Sequence, residues 1–535
     1  MNRIGSQLKD GKAHAQDHKK WSRRSFLQTL GITGGASMLV GGLPVSAAAS
    51  RSLATALGSG ESDRVLVLIR LKGGNDGLNT IIPLYDYSTY INRRQTVGIP
   101  ENEITELANG MGIPETLDSL MPLWNEGQMK VINSVGYPDQ NLSHFRSTDI
   151  WASASDANVL DGSGWLGRYI VNQNPDYLEN PPDVPPAIQI GGSGTNVFND
   201  GDFNSLAVGV QNPEELAEIA QTGQLYDTSN IPDCFYGEQV GFLRTAANAT
   251  FLYADAIKEA FDNSTTQADY NNGFGEQLAL VARLIKGNLG TKLYMVTLDG
   301  FDTHARQTQL HPNLMRQLST GIKAFYEDLA AGQREEDVLC MTFSEFGRRI
   351  EQNSSNGTDH GAAAPLMLFG GGLNGNGMLG DRPDLNNTDG NGNLTFSTDF
   401  RAVYATVLEN WLCLSPNTVD GVMGEVFPRM DLGISCMATG IFSDYTELPF
   451  MRHEARYDAS GGINIYYELP VAAEVRVEIF DILGQPVENL YRGRQLAGTY
   501  QYPFKSNRMG RLAAGAYVYR ILVNGKAYSG KTTAR

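Results

Sequence analysis

Acidic and imidazole side chains recur in short polar segments that follow apolar, strand-like runs. Six of them stand in four such segments: Asp76, Asp302, His304, Glu345, Asp359 and His360. Side chains of these types bind Zn²⁺ and Mn²⁺, and bind Mg²⁺ or Ca²⁺ where oxygen atoms dominate. In open α/β sheets, ligands bind beyond the carboxyl ends of the strands. The pattern therefore predicts a site for one or two divalent cations, zinc in the first place, at these six residues.

A further segment, residues 141–147, combines three side chains that act in ester chemistry. Ser143 supplies a hydroxyl nucleophile, His144 a metal ligand or a general acid, and Arg146 a guanidinium suited to an anionic group. Ser143 also fits the N-cap position of a helix. The two interpretations are compatible, because a helix N-terminus favours a bound anion.

Each segment also has a plain structural interpretation. Asn75-Asp76 between glycines fits a turn, Asp302 and His304 fit an Asx turn beside a surface histidine, and Glu345 fits a solvated strand end. Their shared position after strand-like runs favours the functional interpretation. The motifs of other enzyme classes are missing from the sequence. The chain has no Gly-x-Ser-x-Gly elbow with a suitable partner set, no Walker loop and no His-Glu-x-x-His.

The elements that must position these residues alternate between strand-like and helix-like patterns. Residues 65–71 form an almost continuous apolar run, typical of a strand buried on both faces. The alternation predicts a layered α/β domain over residues 60–440 with a mostly parallel central sheet. The further strand-like runs are 129–135, 187–190, 292–298, 338–343 and 366–369, and the helix-like stretches are 242–263, 275–288 and 311–331.

The pattern changes after a linker predicted at residues 441–460. From there the apolar residues alternate with period two, and glycine- and proline-containing turns separate the runs. Residues 461–535 are therefore predicted to form a small antiparallel β-sandwich.

The chain of 535 residues carries a formal net charge of −17, with its basic residues concentrated at the two ends. Because phosphate backbones are bound by clustered lysine and arginine, the acidic central part argues against nucleic-acid binding. The four cysteines exclude a disulfide scaffold. Cys413 and Cys436 could pair in an oxidising compartment, and the sequence does not fix that pairing.

The first 49 residues have the pattern of an export signal. A polar, basic stretch leads to Arg23-Arg24 before Phe26-Leu27, a mildly apolar run covers residues 30–45, and small residues follow at 46–49. The paired arginines resemble a twin-arginine signal, which is read by the machinery that exports folded proteins. We therefore expect the mature protein to be exported, with cleavage near Ala49.

Taken as a set, the motifs resemble a bacterial secreted family, domain of unknown function 1501, over residues 22–436. Besides the twin-arginine signal, the motifs are Gly-Gly-Asn-Asp-Gly-Leu-Asn at 73–79, Ser-His-Phe at 143–145, Gly-Trp-Leu-Gly-Arg-Tyr at 164–169, Gly-Phe-Asp-Thr-His at 300–304, Thr-Phe-Ser-Glu-Phe-Gly-Arg-Arg at 342–349 and Thr-Asp-His-Gly at 358–361. The resemblance implies an alkaline-phosphatase-like fold. That superfamily, which also includes sulfatase-like enzymes, contains metal-dependent hydrolases and transferases acting on phosphate or sulfate esters.

The superfamily resemblance also implies roles for single residues. It implies that Asp76, Asp302, His304 and His360 are metal ligands, with Asp359 as a possible substitute partner, and that Ser143 is the nucleophile. Glu345-Phe346 stands where an Asp-His pair is usual, so one metal or a different metal is implied as an alternative to two zinc ions. The sulfatase signature, Cys or Ser followed by x-Pro-x-Arg, is absent from the chain, which argues against a formylglycine sulfatase.

The last 75 residues resemble the C-terminal sorting domain of type IX secretion substrates. The resemblance rests on residues 475–484, 498–500 and 512–520. It implies passage from the periplasm across the outer membrane by the type IX machinery, then release or attachment at the cell surface.

Two functions of different classes follow from these observations. The first is an extracellular or cell-surface metal-dependent hydrolase acting on a small anionic ester of phosphate or sulfate. The second is a catalytically inactive surface or binding protein on the same scaffold, which the departure at Phe346 favours. A metal that only holds the loops together is a third interpretation.

Overall fold

The described residues of the computed structural model fall into two compact units, within residues 64–436 and 453–534. Residues 175–176, 178–180, 193–194, 202–203, 223–234 and 376 of the first range, and 458–462, 470–472, 482–485, 497, 505–514 and 524–525 of the second, are outside the description. The predicted signal at 1–49 and residues 441–452 of the predicted linker also lie outside the described residues.

The strands of the first unit are short and lie between helices along the chain. They are β1 (Val65–Lys72), β2 (Ile82–Pro83), β3 (Ile104–Ala108), β4 (Met111–Pro114), β5 (Met129–Gly136), β6 (Ala187–Gln189), β7 (Ala207–Gly209), β8 (Leu293–Asp299), β9 (Val338–Phe343), β10 (Gly347–Gln352), β11 (Thr358–Gly361), β12 (Ala364–Phe369), β13 (Met378–Leu379) and β14 (Thr398–Asp399).

The helices of the first unit include the three predicted from apolar spacing, which correspond to α7, α8 and α9 below. The α-helices are α1 (Gly77–Thr80), α2 (Tyr87–Arg93), α3 (Met121–Asn125), α4 (His144–Ser153), α5 (Trp165–Gln173), α6 (Pro213–Thr222), α7 (Phe235–Asp262), α8 (Gly273–Lys286), α9 (Gln307–Ala331), α10 (Phe400–Thr406) and α11 (Pro416–Met423). Short 3₁₀ turns cover Leu84–Asp86, Glu101–Glu103, Glu115–Leu120 and Glu335–Asp337, and a π-helical turn covers Val407–Trp411. Among the described residues, no helix is both long enough and apolar enough to span a membrane.

A mixed, mostly parallel sheet forms the centre of the first unit, which confirms the predicted α/β fold. Its strand order is β13-β5-β12-β9-β1-β8-β6-β7, and β14 also pairs with β5. Only β12 pairs antiparallel with its neighbours β5 and β9, and the other pairings of this sheet are parallel. The carboxyl ends of β1, β5, β8 and β9 therefore lie at one edge of the sheet, where β12 begins.

The central strand β1 is apolar on both faces because both faces are covered. Val67 and Ile69 point into a core shared with helices α8 and α9. Leu66 and Leu68 point into a second core shared with α4, α5 and α10. Burying one such side chain contributes about 1.5–3 kcal/mol, so this strand anchors the loop that follows it.

The segment between β9 and β12 departs from the predicted loops. Strands β10 and β11 form a two-stranded antiparallel sheet, with Arg348 opposite His360. Asp359 and His360 were predicted to lie in a loop, and they lie instead on β11. The pairing with β10 explains the difference, because its hydrogen bonds hold residues 358–361 extended.

The second unit consists of two antiparallel sheets around one apolar core. One sheet has the order β15-β16-β19 and the other the order β18-β17-β20-β21. β15 lies within the stretch predicted as a linker. The strands are β15 (His453–Tyr457), β16 (Ile463–Leu469), β17 (Ala473–Asp481), β18 (Pro486–Gln495), β19 (Gly498–Phe504), β20 (Gly515–Val523) and β21 (Lys526–Ala534).

A disulfide closes the end of the first unit. It joins Cys413 to Cys436, 23 positions apart in the sequence, and leaves Cys340 as a free, buried thiol. The structure thus settles the pairing that the sequence left open.

We expect the double variant Cys413→Ser/Cys436→Ser to lose about 3 kcal/mol of unfolding free energy, because a closed loop of this length restricts the unfolded chain. Urea unfolding followed by circular dichroism measures the loss. A reducing agent should weaken the wild type by a similar amount and leave the double variant unchanged. Equal stability of wild type and variant under oxidising conditions would contradict this expectation.

Candidate metal site

Three histidines and one aspartate converge at the carboxyl edge of the central sheet. His144 begins α4, Asp302 and His304 follow β8, and His360 lies on β11. The Nε2 atoms of His304 and His360 are 2.9 Å apart, and lie 3.2 and 3.3 Å from Asp302 Oδ1. His144 Nε2 lies 3.5 Å from Asp302 Oδ2. Ligand atoms of His144, Asp302 and His360 all fall within 4.8 Å of one another.

Each of the three imidazoles is held from behind by an oxygen atom that can only accept a hydrogen bond. A neutral histidine carries its proton on the ring nitrogen that donates, so these contacts assign the proton to Nδ1 in all three rings. Nε2 is then a bare lone pair in each. The Nδ1 contacts are His144 to Glu345 Oε1 (3.0 Å), His304 to Asp359 Oδ1 (3.0 Å) and His360 to the Leu142 carbonyl (2.8 Å).

This arrangement fits a bound cation. The three Nε2 lone pairs and the Asp302 carboxylate all accept hydrogen bonds. When the three imidazoles are neutral, no atom of this inner set therefore donates a hydrogen bond to another. Histidine ligands of metals typically donate their other ring N–H to a carboxylate or carbonyl in this way. A second observation agrees: Glu345 is 2% exposed, and its Oε2 has no hydrogen-bond partner within the described residues. Arg70 already attracts this buried charge, and a cation beyond His144 would add to that attraction.

The guanidinium of Arg348, which is fully buried, connects the loops that carry the cluster. It donates to Asp302 Oδ1 at 2.7 Å and to the carbonyls of Gly74 and Thr358 at 2.8 Å each. It also donates to the carbonyls of Gly73 and Phe301. The loops after β1 and β8 and the start of β11 are thereby fixed around one cation of the protein itself.

Phe346, which stands where the sequence resemblance implies a metal ligand, forms an apolar wall of the cluster. Its ring centroid lies 4.2 Å from that of His360 and 4.9 Å from that of His144. Gly74 has φ +84°, and a Cβ there would lie 2.3 Å from Phe346 Cε2. The glycine is therefore required both by backbone conformation and by contact with this ring.

The structure places Asp76 outside the cluster, although the sequence predicts it as a ligand. Its carboxylate is fully buried and pairs with Arg94 at 2.6 Å, while Gln307 also donates to it. No hydrogen bond or ion pair of Asp76 reaches the three histidines in the described part of the chain. Burial raises the pKa of Asp76, but Arg94 outweighs this effect and holds the pKa below its usual value.

Glu345 and Asp359, predicted as ligands, lie in a second layer instead. Glu345 Oε1 accepts from the Gly73 amide as well as from His144. Asp359 Oδ1 accepts from Asn353 and His304, and the Asn353 hydrogen bond is the main reason that the pKa of Asp359 is lowered. Both carboxylates orient an imidazole rather than face the cluster.

The surroundings shift the pKa values of Asp302 and His360. Partial burial raises the pKa of Asp302, but the hydrogen bond and charge of Arg348 outweigh it and hold that pKa below the usual value. Burial lowers the pKa of His360. Both shifts favour the unprotonated forms, which are the forms that bind metal ions.

The segment around Ser143 only partly matches its predicted roles. Ser143 occupies the N-cap position of α4, but its side chain makes no capping bond, and its hydroxyl forms no hydrogen bond among the described residues. Phe145, the residue after His144, is 86% exposed. Arg146 donates to the carbonyls of Asp156, Ala157 and Val159, so it stabilises a neighbouring turn rather than lining the cluster.

Sequence reasoning missed the two arginines on which the site rests. Arg94 lies 18 positions after Asp76, just beyond helix α2, and no motif marks it. Arg348 stands inside the motif at residues 342–349, in which the sequence assigns a role to Glu345 and none to Arg348. A physical signal did exist, because several buried carboxylates in one place require nearby cations.

A family comparison matches the part of the chain that carries the cluster. The profile of a family described as Protein of unknown function (DUF1501) matches residues 124–411, more than half of the chain. The chain belongs to this family. All four residues of the cluster lie in the DUF1501 match, whereas Asp76 and Arg94 precede it. The sequence matches none of the curated proteins with which it was compared.

Solved structures similar to this DUF1501 chain include a protein of the alkaline phosphatase superfamily, a lipoteichoic acid synthase and a sulfatase. A protein of the alkaline phosphatase superfamily from Vibrio parahaemolyticus shares 9% identity, with 79% of this chain and 84% of that one covered and a TM-score of 0.31. The lipoteichoic acid synthase LtaP from Listeria monocytogenes shares 8%, with 83% and 88% covered and a TM-score of 0.33. The PsFucS1 sulfatase from Pseudoalteromonas sp. shares 10%, with 85% and 87% covered and a TM-score of 0.28. At such TM-scores, nothing about substrate or mechanism follows from the likeness.

Behind the cluster lies His311 of α9, whose burial makes the unfolding free energy depend on pH. It is fully buried, and its Nε2 lies 3.0 Å from Asn75 Oδ1. Burial lowers the pKa of His311 to about 4, although the negative charge of Asp76 acts to raise it. The unfolded state, with a pKa of about 6.5, takes up a proton first as the pH falls. We therefore expect this group to remove about 3 kcal/mol of unfolding free energy between pH 6.5 and pH 4.

The variant His311→Gln lacks this titration and should have a flatter stability profile over the same window. Urea unfolding of metal-free wild type and variant at several pH values measures both profiles. Parallel profiles for the two proteins would show that His311 does not carry the effect.

Proposed function

We propose that the protein is a metal-dependent hydrolase of phosphate or sulfate esters. One observation carries the proposal: three histidine Nε2 atoms, each with its Nδ1 proton engaged, converge on the carboxylate of Asp302. Zinc suits a nitrogen-rich donor set with one carboxylate better than magnesium or calcium, which bind through oxygen atoms. Manganese is the next candidate, because it accepts the same ligands.

In this proposal the ion's chemical contribution is Lewis acidity toward an ester oxygen. The chain's residues provide orientation and access. Glu345 and Asp359 fix two of the imidazole rings, and Arg348 fixes Asp302. The cluster side chains are partly exposed, from 21% for His360 to 48% for Asp302, so a small anionic ester can reach the donors from solvent.

Ser143 remains the candidate nucleophile of the proposal. It is exposed at the start of α4, next to the ligand His144, and its hydroxyl is not consumed by a helix cap. No base touches that hydroxyl among the described residues. This second observation favours the alternative function, a protein that binds an ion or an anion without turning it over.

The first test is metal content and ester hydrolysis on protein purified without chelators. We expect stoichiometric zinc or manganese and turnover of p-nitrophenyl phosphate or p-nitrophenyl sulfate. The double variant Asp302→Ala/His360→Ala should lose the ion and at least about 100-fold of the activity, because Lewis-acid stabilisation amounts to several kcal/mol. His453→Ala, a histidine variant in the second unit, is the matched control.

The outcomes separate the alternatives. A folded, metal-free wild type would contradict the proposal. Stoichiometric metal without turnover would favour the binding function, and Ser143→Ala then has no activity to remove. Turnover that falls in Ser143→Ala at unchanged metal content would support the nucleophile assignment.

We also propose that the protein is exported and ends outside the cell or on its surface. The support is the twin-arginine pattern at residues 23–24 and the resemblance of residues 461–535 to a type IX sorting domain. The variant Arg23→Lys/Arg24→Lys should remain in the cytoplasm, and a chain lacking residues 461–535 should stop in the periplasm. Cell fractionation with immunoblotting measures both, and normal secretion of either variant would contradict the corresponding assignment.

A further inference from the structure

Four carboxylates surround the candidate metal site, and they differ in what they contact. Two ions held close together in one site require carboxylates or histidines to spare beyond one ligand set. The contacts of Asp76, Glu345 and Asp359 therefore decide how many ions the site can hold.

Asp76 already has a cation of its own. Arg94 is fully buried, and each of its nitrogens donates: Nη1 to Asp76 and Asn79, Nε to the Ile350 carbonyl, and Nη2 to the Arg349 carbonyl. A guanidinium held by two backbone carbonyls cannot withdraw without leaving those acceptors unpaired. A divalent ion at Asp76 would have to lie beside this fixed positive charge.

Glu345 and Asp359 lie behind the rings that they orient. Each accepts from an Nδ1 atom, on the side of the imidazole away from its Nε2. A metal on Nε2 is therefore on the far side of the ring from either carboxylate. These two residues are positioning residues, and they do not serve as ligands of that metal.

Asp302 is the one described carboxylate whose oxygens face the Nε2 atoms. Its Oδ1 is held by Arg348 and approached by His304 and His360, while Oδ2 faces His144. With the three imidazoles, this gives at most four donors. Those of His144, Asp302 and His360 lie within 4.8 Å of one another, and His304 lies beside Asp302 and His360. Four donors are no more than one zinc ligand set.

We infer that the site holds a single ion, with Arg94 as the permanent cation at Asp76 and with Glu345 and Asp359 as positioning residues. This inference rests on the proposed function and specifies it. Two features would favour a second ion: Asp76 Oδ1 and Glu345 Oε2 are both buried and have no hydrogen-bond partner within the described residues. The experiment must therefore test Asp76 directly.

The decisive measurement is zinc titration of the metal-stripped full-length protein, read by native mass spectrometry and by competition with a chromophoric chelator. We expect one equivalent for the wild type, one for Asp76→Asn and none for Asp302→Ala. Asp359→Ala should still bind one equivalent, with a Kd about 10- to 100-fold higher, as for other lost outer partners of metal ligands. Asp299→Ala removes an exposed carboxylate at the end of β8 and should bind zinc like the wild type.

The possible failures are distinguishable. Two equivalents in the wild type, falling to one in Asp76→Asn, would overturn the single-ion inference and leave the proposed hydrolase standing. An unchanged Kd in Asp359→Ala would overturn its positioning role. No zinc in the folded wild type would overturn the inference together with the proposed function. If Asp76→Asn unfolds because Arg94 loses its partner, the wild-type stoichiometry alone decides.

Discussion

The buried guanidinium of Arg348 is the interaction on which the site depends. Its donors engage carbonyls from the loop after β1, the loop after β8 and the start of β11, and they also hold Asp302. Lysine could not replace it, because a single ammonium lacks the planar fork that reaches several fixed acceptors at once. Segments far apart in the sequence are thus connected into one frame, which carries His304 and His360, while Glu345 orients His144.

The site has a layered electrostatic order. The innermost layer contains only acceptor atoms, the next contains groups that hold the Nδ1 protons, and beyond them lie the arginines. Without an ion this order is unfavourable, because like partial charges face one another at about 3 Å. An ion at the centre turns the same contacts into attraction, which is why the geometry supports a metal centre more strongly than any single motif does.

Much of this architecture could be predicted from sequence, for reasons that depend on pattern. The apolar run of β1 indicates burial on both faces, and the polar residues after β1, β8 and β9 indicate a shared edge. The antiparallel strand β12 could not be predicted, because a short buried run has no direction. The role of Asp76 was also inaccessible: a ligand and one half of a buried ion pair look alike until Arg94 is placed beside it. Likewise, Asp359 next to His360 reads as two ligands, although neighbouring residues of a strand point to opposite faces.

In the first turn of α4, the residue that faces the cluster and the residues that face solvent are different ones. His144 faces the cluster, while Ser143 and Phe145 on either side of it face solvent, and Arg146 is engaged with a neighbouring turn. Phe145 is 86% exposed, so its substitution leaves the inner frame untouched. Within a lineage, the rim can therefore drift toward new recognition properties while the centre is inherited intact, so relatives with the same donors need not share a substrate.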